Sequence, residues 1–441
     1  SKCASSNVTE RLNTLLAKYP RLWKEGLEAA VGIKGTLTLK ESAIPVFCKA
    51  RPIPYGMRKL VEAELEKLQK DGVISPVTWS EWATPLVVVP KGDGRVRLCG
   101  DFKVSVNPAL KIDQYPLPKV EDMFATLGKS TVFSKVDLKL AYLQLELEEE
   151  AKKLVAVNTH KGLFRYNRLP FGIASAPAIW QRTMDLILQG IPKVQCLMDD
   201  IIVAGEDEEE HLALLEKVLQ RLDQRNLTVN KEKCKFFQKK IEFCGHYIDA
   251  EGLHKTPDKI KAVVEAPRPS NTTQLHSFLG MVNYYHRFLS GLASTLAPLH
   301  QLLQAGVKWR WTRECEGTFR KVKQMMASET VLTHFNPELP MTVACDASAY
   351  GLGAVLSHKM QDGTERPVAF ASRTLLAAEK NYAQIDKEAL ALIWGIKKFH
   401  HYLYGHNFTL ITDHPEPQER VTPHDNSSPT EVCHIPARLR L

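Results

Sequence analysis

The sequence predicts a multidomain chain that mixes α/β and α+β architecture, and three observations predict it. At 441 residues the chain has room for two or three cores. Short apolar strands ending on aspartate alternate with helical stripes of 3.6-residue period. A proline-rich joint, Phe335-Asn-Pro-Glu-Leu-Pro340, separates two such sets.

Taken in order, Ala43-Ile-Pro-Val-Phe47 and Arg51-Pro-Ile-Pro-Tyr55 are a proline-broken extended approach. Met57, Leu60, Val61, Leu65 and Leu68 then share one helical face, which Gly72 ends. Leu86–Pro90 reads as a strand, Lys91-Gly-Asp-Gly94 as its turn and Arg95–Cys99 as the returning strand. Thr131–Leu138 is a strand carrying Asp137 at its end. Val194–Met198 and Ile201–Val203 flank a hairpin turn at Asp199-Asp200. His211–Gln224 is a helix with its stripe at Leu215, Val218, Leu219 and Leu222, and lysines and aromatics crowd Lys231–Lys240. After Pro267, Phe278, Leu279, Val282, Tyr285 and Phe288 form another stripe. Beyond the joint come strands at Met341–Cys345 and Gly353–His358, a helix at Lys387–His400 and a strand at Asn407–Thr412. From His414 onward periodicity gives way to proline, serine and charge, which reads as disorder.

A net charge of +8 and a pI near 8.9 suit a polyanionic partner without demanding one. Nine scattered cysteines, with no CxxC pair or Cys/His spacing, argue against structural zinc and for a reducing compartment. With no signal peptide and no membrane-length apolar run, the expected location is intracellular, cytoplasmic or nuclear, without secretion or membrane contact.

The chemistry concentrates in two acidic sets. Adjacent carboxylates in a tight turn, Asp199 and Asp200, repel unless a cation sits between them, and hard oxygen ligands suit Mg²⁺. With Asp137 on a neighbouring strand, three carboxylates would meet at one sheet edge, an arrangement able to hold two metal ions for phosphoryl transfer. Spacing alone leaves a second reading, a plain polar turn. Asp346, Glu388 and Asp413 are the second set: two strand-end aspartates and a glutamate early in a helix.

The ordered motifs carry a resemblance. Phe133-Ser-Lys-Val-Asp-Leu-Lys-Leu-Ala-Tyr142, Leu169-Pro-Phe-Gly-Ile-Ala-Ser-Ala-Pro-Ala178 and Met198-Asp-Asp-Ile-Ile-Val203 resemble the palm motifs of gypsy-type LTR retrotransposon reverse transcriptases. Ser80–Pro85, Arg97–Phe102 and Gln114-Tyr-Pro-Leu-Pro118 match the same family upstream. Phe243-Cys-Gly-His246 resembles its primer grip and Phe278–Phe288 its thumb helix. Cys345–Ala354, Tyr382–Leu390 and Leu410–His414 resemble its ribonuclease H domain, and the resemblance stops after His414.

The resemblance implies a right-hand polymerase (fingers, palm, thumb) followed by a partial ribonuclease H-like α/β domain. The corresponding segments are 1–25 as lead-in, 26–245 as fingers and palm, and 246–338 as thumb and connection. A partial ribonuclease H-like domain follows over 339–415, then a disordered tail over 416–441. It implies an RNA-directed DNA polymerase, a nucleotidyltransferase with ribonuclease H capacity impaired by the shortened domain. Asp137, Asp199 and Asp200 would be the polymerase carboxylates, and Asp346, Glu388 and Asp413 those of hybrid cleavage. Each set would hold two Mg²⁺, with Mn²⁺ as a substitute.

Lys91 and Arg97 would bind the incoming triphosphate, Tyr142 would exclude the ribose 2′-hydroxyl, and Phe171 would line the nucleotide pocket. Without the family pattern these four read as a solvated basic hairpin and ordinary packing. Expected partners are RNA and DNA template–primer, deoxynucleoside triphosphates and other parts of a retrotransposon polyprotein. The family has tyrosine two residues before the paired aspartates where this chain has Leu197. That departure and the aberrant tail favour an alternative, a decayed or host-adopted nucleic-acid-binding remnant.

Overall fold

The computed structural model describes residues 6–92, 94–412 and 431–435, and the chain divides into two compact units, Ser1–Ile241 and Glu242–Leu441. The stretch expected to be a bare lead-in opens with a helix, α1 (Ser6–Ala17), and a 3-10 turn at Pro20–Trp23. Leu15 and Leu22 are buried there, which supplies the attachment; exposed ion pairs such as Lys18–Glu216 (2.8 Å) add little.

Helix α2 (Tyr55–Lys70) buries Val61, Leu65 and Leu68, spaced for one face, and stops where Gly72 takes φ +66°. Five strands then build the first sheet: β1 (Ile74–Val77), β2 (Thr84–Pro90), β3 (Val96–Gly100), and further along β5 (Ala156–Thr159) and β6 (Gly162–Tyr166). Between β3 and β5 runs β4 (Val132–Asp137), which belongs to the second sheet. The first sheet has the order β1-β6-β5-β2-β3, its β2–β5 pair parallel and the rest antiparallel.

The second sheet is completed by β7 (Val194–Leu197), β8 (Asp200–Gly205) and β9 (Lys235–Gln238), in the order β9-β4-β8-β7 and antiparallel throughout. Helix α3 (Ala176–Leu188) packs beside β7, and α4 (Glu208–Gln224) beside β8 and β4. The start of α4 lies earlier than apolar spacing alone gives, because Asp207 caps it by accepting from the Glu210 amide at 2.8 Å. Val132, Phe133, Val136 and Ile201–Ala204 are almost wholly buried, so β4 and β8 form the floor of this unit.

In the second unit a hairpin, β10 (His246–Asp249) and β11 (Leu253–Lys255), precedes a short helix at Pro257–Val264 and three further helices: α5 (Thr272–Asn283), α6 (Leu292–Gln301) and α7 (Arg313–Ala327). The single stripe expected over Phe278–Phe288 is two pieces, since α5 ends at Asn283 and a 3-10 turn carries His286–Phe288. Tyr285 folds back there, its hydroxyl donating to the Gly245 carbonyl at 2.8 Å.

The joint at Phe335–Pro340 lies within this unit and is pinned to its sheet. His358 accepts from the Asn336 amide (3.0 Å), and Phe335 stacks on the His358 ring. The sheet contains β12 (Met341–Ala347), β13 (Gly351–Lys359) and β14 (Glu365–Thr374). After helix α8 (Gln384–Lys398) come β15 (Phe408–Thr412) and β16 (Glu431–Ile435). Its order is β14-β13-β12-β15-β16, with β12 and β15 parallel. Five residues of the stretch read as disordered thus pair with β15; the remainder from 413 lies outside the described residues. No helix of the described residues is long and apolar enough to cross a membrane.

Helix α8 approaches the sheet through Gly395, where a Cβ would fall onto Cys345 Sγ and lie 3.3 Å from the Ala354 Cβ. Gly395→Ala should therefore destabilise the second unit, since overpacking costs about 1–3 kcal/mol against ~0.5–1 kcal/mol gained in helix propensity. Urea unfolding of the full chain, followed by a probe in this unit, checks it: the midpoint falls.

Candidate active site

The site begins with strand register. Asp200 stands directly opposite Asp137, Ile201 opposite Val136 and Ile202 opposite Lys135. On the other side Asp200 faces Leu197, so the hairpin turn is Met198-Asp199 and Asp200 is the first residue of the outgoing strand. The turn expected at Asp199-Asp200 is therefore displaced by one residue. Its cause is Met198, held at φ 56°, a left-handed conformation that a two-residue hairpin requires and methionine does not favour. Outside contacts enforce it, since the Trp180 indole donates to the Met198 carbonyl at 2.6 Å. The Leu138 amide donates to the Asp199 carbonyl (2.8 Å), and the Asn230 amide to the Asp137 carbonyl (2.8 Å). All three aspartates are thus placed by backbone bonds.

Their charges are unequally exposed. Asp137 is 7 % exposed, and burial holds its carboxyl above the usual range; Lys233 lowers it, while Asp200 and Asp199 raise it further. Lys233 Nζ lies 3.9 Å from Asp137 Oδ1, and Lys135 Nζ 2.7 Å from Asp200 Oδ2. Among the described residues, the three-ligand group with donor atoms within 4.8 Å of one another is Asp249, Glu251 and His254, on the β10–β11 hairpin. Asp137, Asp199 and Asp200 do not form so tight a group, Asp200 being turned onto Lys135. The two lysines supply positive charge to a cluster that needs it, and the carboxylates fit a divalent cation for the same reason. Sequence reasoning places Lys233 only within the crowded Lys231–Lys240 stretch and passes over Lys135, although Lys135 shares its strand face with Asp137 at spacing two. Cys234, whose thiol burial pushes up to about 11, accepts from the Asp137 amide at 3.4 Å.

A cavity lined by Lys91, Arg95, Arg97, Leu140, Leu143 and Phe171 among others reaches the stretch that follows Asp137 in the chain. Three of the four residues expected to meet a nucleotide thus line one cavity. Tyr142, the fourth, is not among the residues lining it; its ring packs 5.2 Å from Phe171 and 6.3 Å from Trp180. Burial and the nearby Asp199 charge both push the Tyr142 hydroxyl up, so it stays neutral. Arg97 lies over the Phe171 ring at 6.0 Å. Leu140, which sequence reasoning missed, holds φ 49° at the cavity and is 39 % exposed.

In the second unit, Asp346 is exposed on β12 opposite Gly353, and Glu388 is buried near the start of α8. Gln384 links their surroundings, donating to the Ala347 carbonyl (2.8 Å) and to Glu388 Oε1 (2.6 Å). Cys345 between them is pushed up to about 12, by burial first and the Glu388 charge second. Asp413 lies outside the described residues. Two motifs read separately meet in this unit. His246 stacks between Tyr284 (5.5 Å) and Phe288 (5.7 Å), and the Tyr284 hydroxyl donates to the Cys244 carbonyl at 2.6 Å.

Comparison with known proteins bears on the domains and the fold. Residues 89–248 match the family model described as reverse transcriptase (RNA-dependent DNA polymerase), and residues 311–410 the RNase H-like domain found in reverse transcriptase. The fold is shared with the foamy viral protease-reverse transcriptase solved with double-stranded DNA. That match has a TM-score of 0.86 and 22% identity, covering 95% of this chain and 74% of that one. The same viral protein solved with an RNA/DNA hybrid gives a TM-score of 0.79 at 21% identity, over 93% of this chain and 56% of that one. The fold is therefore that of a right-hand polymerase with fingers, palm and thumb, followed by a ribonuclease H-like domain.

Among sequences, the retrovirus-related Pol polyprotein from transposon opus of Drosophila melanogaster is 35% identical over 92% of this chain and 42% of its own length. The transposon Tf2-3 polyprotein of Schizosaccharomyces pombe is 34% identical over 94% of this chain and 31% of its own. The chain spans less than half the length of these relatives. It carries the reverse transcriptase and RNase H-like domains in common with these transposon polyproteins, and a gypsy-type affiliation fits them.

The burial of Asp137 yields a stability prediction. Its raised carboxyl penalises the charged native form, so the metal-free protein loses stability there at neutral pH and recovers it as pH falls through the raised value. Asp137→Asn should raise the melting temperature in EDTA at pH 7.5. The gain should vanish as pH drops towards the ordinary aspartate value, about 3.9. Paired thermal melts across pH check the sign.

Proposed function

We propose that the chain is an RNA-directed DNA polymerase whose active site is built on Asp137, Asp199 and Asp200. The observation that carries this reading is the register that sets Asp200 opposite Asp137; a cavity lined by Lys91, Arg97 and Phe171 supports it. The three carboxylates would hold two Mg²⁺, for which Mn²⁺ substitutes. Such ions, when bound, lower the pKa of an attacking hydroxyl and neutralise charge building on the phosphate oxygens.

The chain's own residues do the rest. Lys91 and Arg97 offset the triphosphate charge from the side opposite the carboxylates and orient it for in-line attack. Phe171 gives the sugar and base an apolar wall. Tyr142, backed by Phe171 and Trp180, cannot retreat, so a ribose 2′-hydroxyl meets a fixed ring. Lys135 and Lys233 steady the acidic cluster between substrate encounters.

The substrates on this reading are deoxynucleoside triphosphates and an RNA or DNA template–primer. The related viral enzyme has been solved with both double-stranded DNA and RNA/DNA hybrid, and the charge of +8 suits a polyanion. In the second unit, Asp346 and Glu388, with Asp413, are the candidate ligands for cleavage of the RNA strand of a hybrid. Other parts of a retrotransposon polyprotein are natural partners.

Primer extension on poly(rA)/oligo(dT) with Mg²⁺ or Mn²⁺ tests the reading. Asp199→Asn should lower it about 10³-fold or more, because a charge-stabilising ligand is lost at constant size. A wild-type chain that extends no primer with either ion would leave the remnant reading in its place.

Tyr142→Ala should admit ribonucleotides, raising their incorporation relative to deoxynucleotides on the order of 10–100-fold, what one misfit group in a pocket is worth. Single-nucleotide incorporation kinetics measure it. Unchanged discrimination would remove Tyr142 from the gate.

A further inference from the structure

The Gln114-Tyr-Pro-Leu-Pro118 stretch has no part in the site described so far, yet its tyrosine reaches towards the aspartate turn through a chain of hydrogen bonds. The Tyr115 hydroxyl donates to Asp185 Oδ2 at 2.6 Å. Asp185 Oδ1 accepts from Gln181 Nε2 at 2.9 Å, one helical turn back on α3. The same Gln181 nitrogen donates its second proton to the Cys196 carbonyl at 2.8 Å, on the strand entering the turn. Gln181 Oε1 accepts the Met198 amide at 3.3 Å.

Gln181 is fully buried, and its amide has a single orientation that satisfies these partners. Reversing it would set an NH₂ against the Met198 N–H and a carbonyl against the Cys196 carbonyl. Asp185, which accepts from the same NH₂, reinforces that orientation and anchors the Gln181 side chain, and Tyr115 holds Asp185. Tyr115 is itself fixed, since its amide donates to Asp113 Oδ1 (3.1 Å) and Asp113 pairs with Arg182 at 2.9 Å.

We infer that Tyr115, Asp185 and Gln181 form a positioning relay that holds the Met198-Asp199 turn and thereby sets where the Asp199 and Asp200 carboxylates stand. Met198 keeps a left-handed backbone that its side chain disfavours, so the turn depends on outside bonds, and Gln181 supplies the one to its amide. The relay touches neither substrate nor metal and acts through the turn. Its functional consequence rests on the polymerase reading above.

Tyr115→Phe is the smallest test, removing one hydroxyl from a half-buried ring. Mg²⁺ demands near-ideal octahedral geometry, so a loosened carboxylate pair should bind it less well. The full-length variant should show kcat about tenfold lower with Mg²⁺, the worth of one charge-assisted hydrogen bond, with the nucleotide KM within about twofold of wild type. Half-saturating Mg²⁺ should rise, and Mn²⁺ should recover most of the loss.

A second readout needs no turnover. Mn²⁺ binding, followed by electron paramagnetic resonance, should weaken at the site that Asp199→Asn abolishes, in both Tyr115→Phe and Asp185→Asn. The double variant should lose no more than either single one, because both cut the same chain. Unchanged Mn²⁺ binding at that site overturns the relay. Equal losses with Mg²⁺ and Mn²⁺, together with a lowered melting temperature, overturn it too and leave only a packing role. If the wild type extends no primer, the polymerase reading falls while the Mn²⁺ comparison still decides the relay.

Discussion

The antiparallel register between Val132–Asp137 and Asp200–Gly205 is the constraint on which the rest depends, because it sets two like charges opposite each other at one sheet end. A slip of one residue would turn every buried side chain of β8 to the wrong face. The far end of β8 forbids that slip. A Cβ on Gly205 would lie 2.6–2.8 Å from the Cα, Cβ and amide nitrogen of His211, so strand and helix meet there with no tolerance. The His211 ring, wholly buried with its pKa lowered to about 4 by that burial, stays neutral and bonds Ser134 at 2.7 Å. Helix α4 thereby locks both strands that carry the carboxylates. Stability at one end of the sheet holds charge repulsion in place at the other.

The same logic explains the lysines. A buried carboxylate beside two others is costly without compensation. Lys135 and Lys233 provide it from exposed or half-exposed stems, so each ammonium can swing away when another cation arrives. On the proposed reading the site is assembled before it is loaded, its backbone held by these bonds and its flexible side chains left free to rearrange. Phe171, which lines the cavity, is likewise held in place by Tyr142, itself packed on Trp180.

Much of this was legible in the sequence where local pattern and structure coincide. The apolar strands ending at Asp137 and Asp346, the stripe of α4 and the stop at Gly72 follow from periodicity and backbone preference. What escaped was set by distant partners. Met198 reads as a strand residue because nothing in it favours φ > 0; Trp180 and Gln181, on the preceding helix, impose it. Leu140 is hidden for the same reason, being an apolar residue in a conformation usually left to glycine. The lead-in helix escaped because its ion pairs and buried leucines meet a partner some two hundred positions away. The motif resemblance located the aspartates, while the bonds that aim them came only from the fold.

On the proposed reading Asp137, Asp199 and Asp200 form one cation-binding centre poised against a bound nucleotide. The most direct measurement is a crystal structure of the chain with template–primer, a non-hydrolysable deoxynucleotide and Mn²⁺, with the ions located by anomalous scattering. The account predicts Mn²⁺ held by these aspartates, with Lys135 displaced from Asp200 and the triphosphate against Lys91 and Arg97. Mn²⁺ absent from the three aspartates in such a ternary complex, or found solely at Asp249, Glu251 and His254, would contradict it.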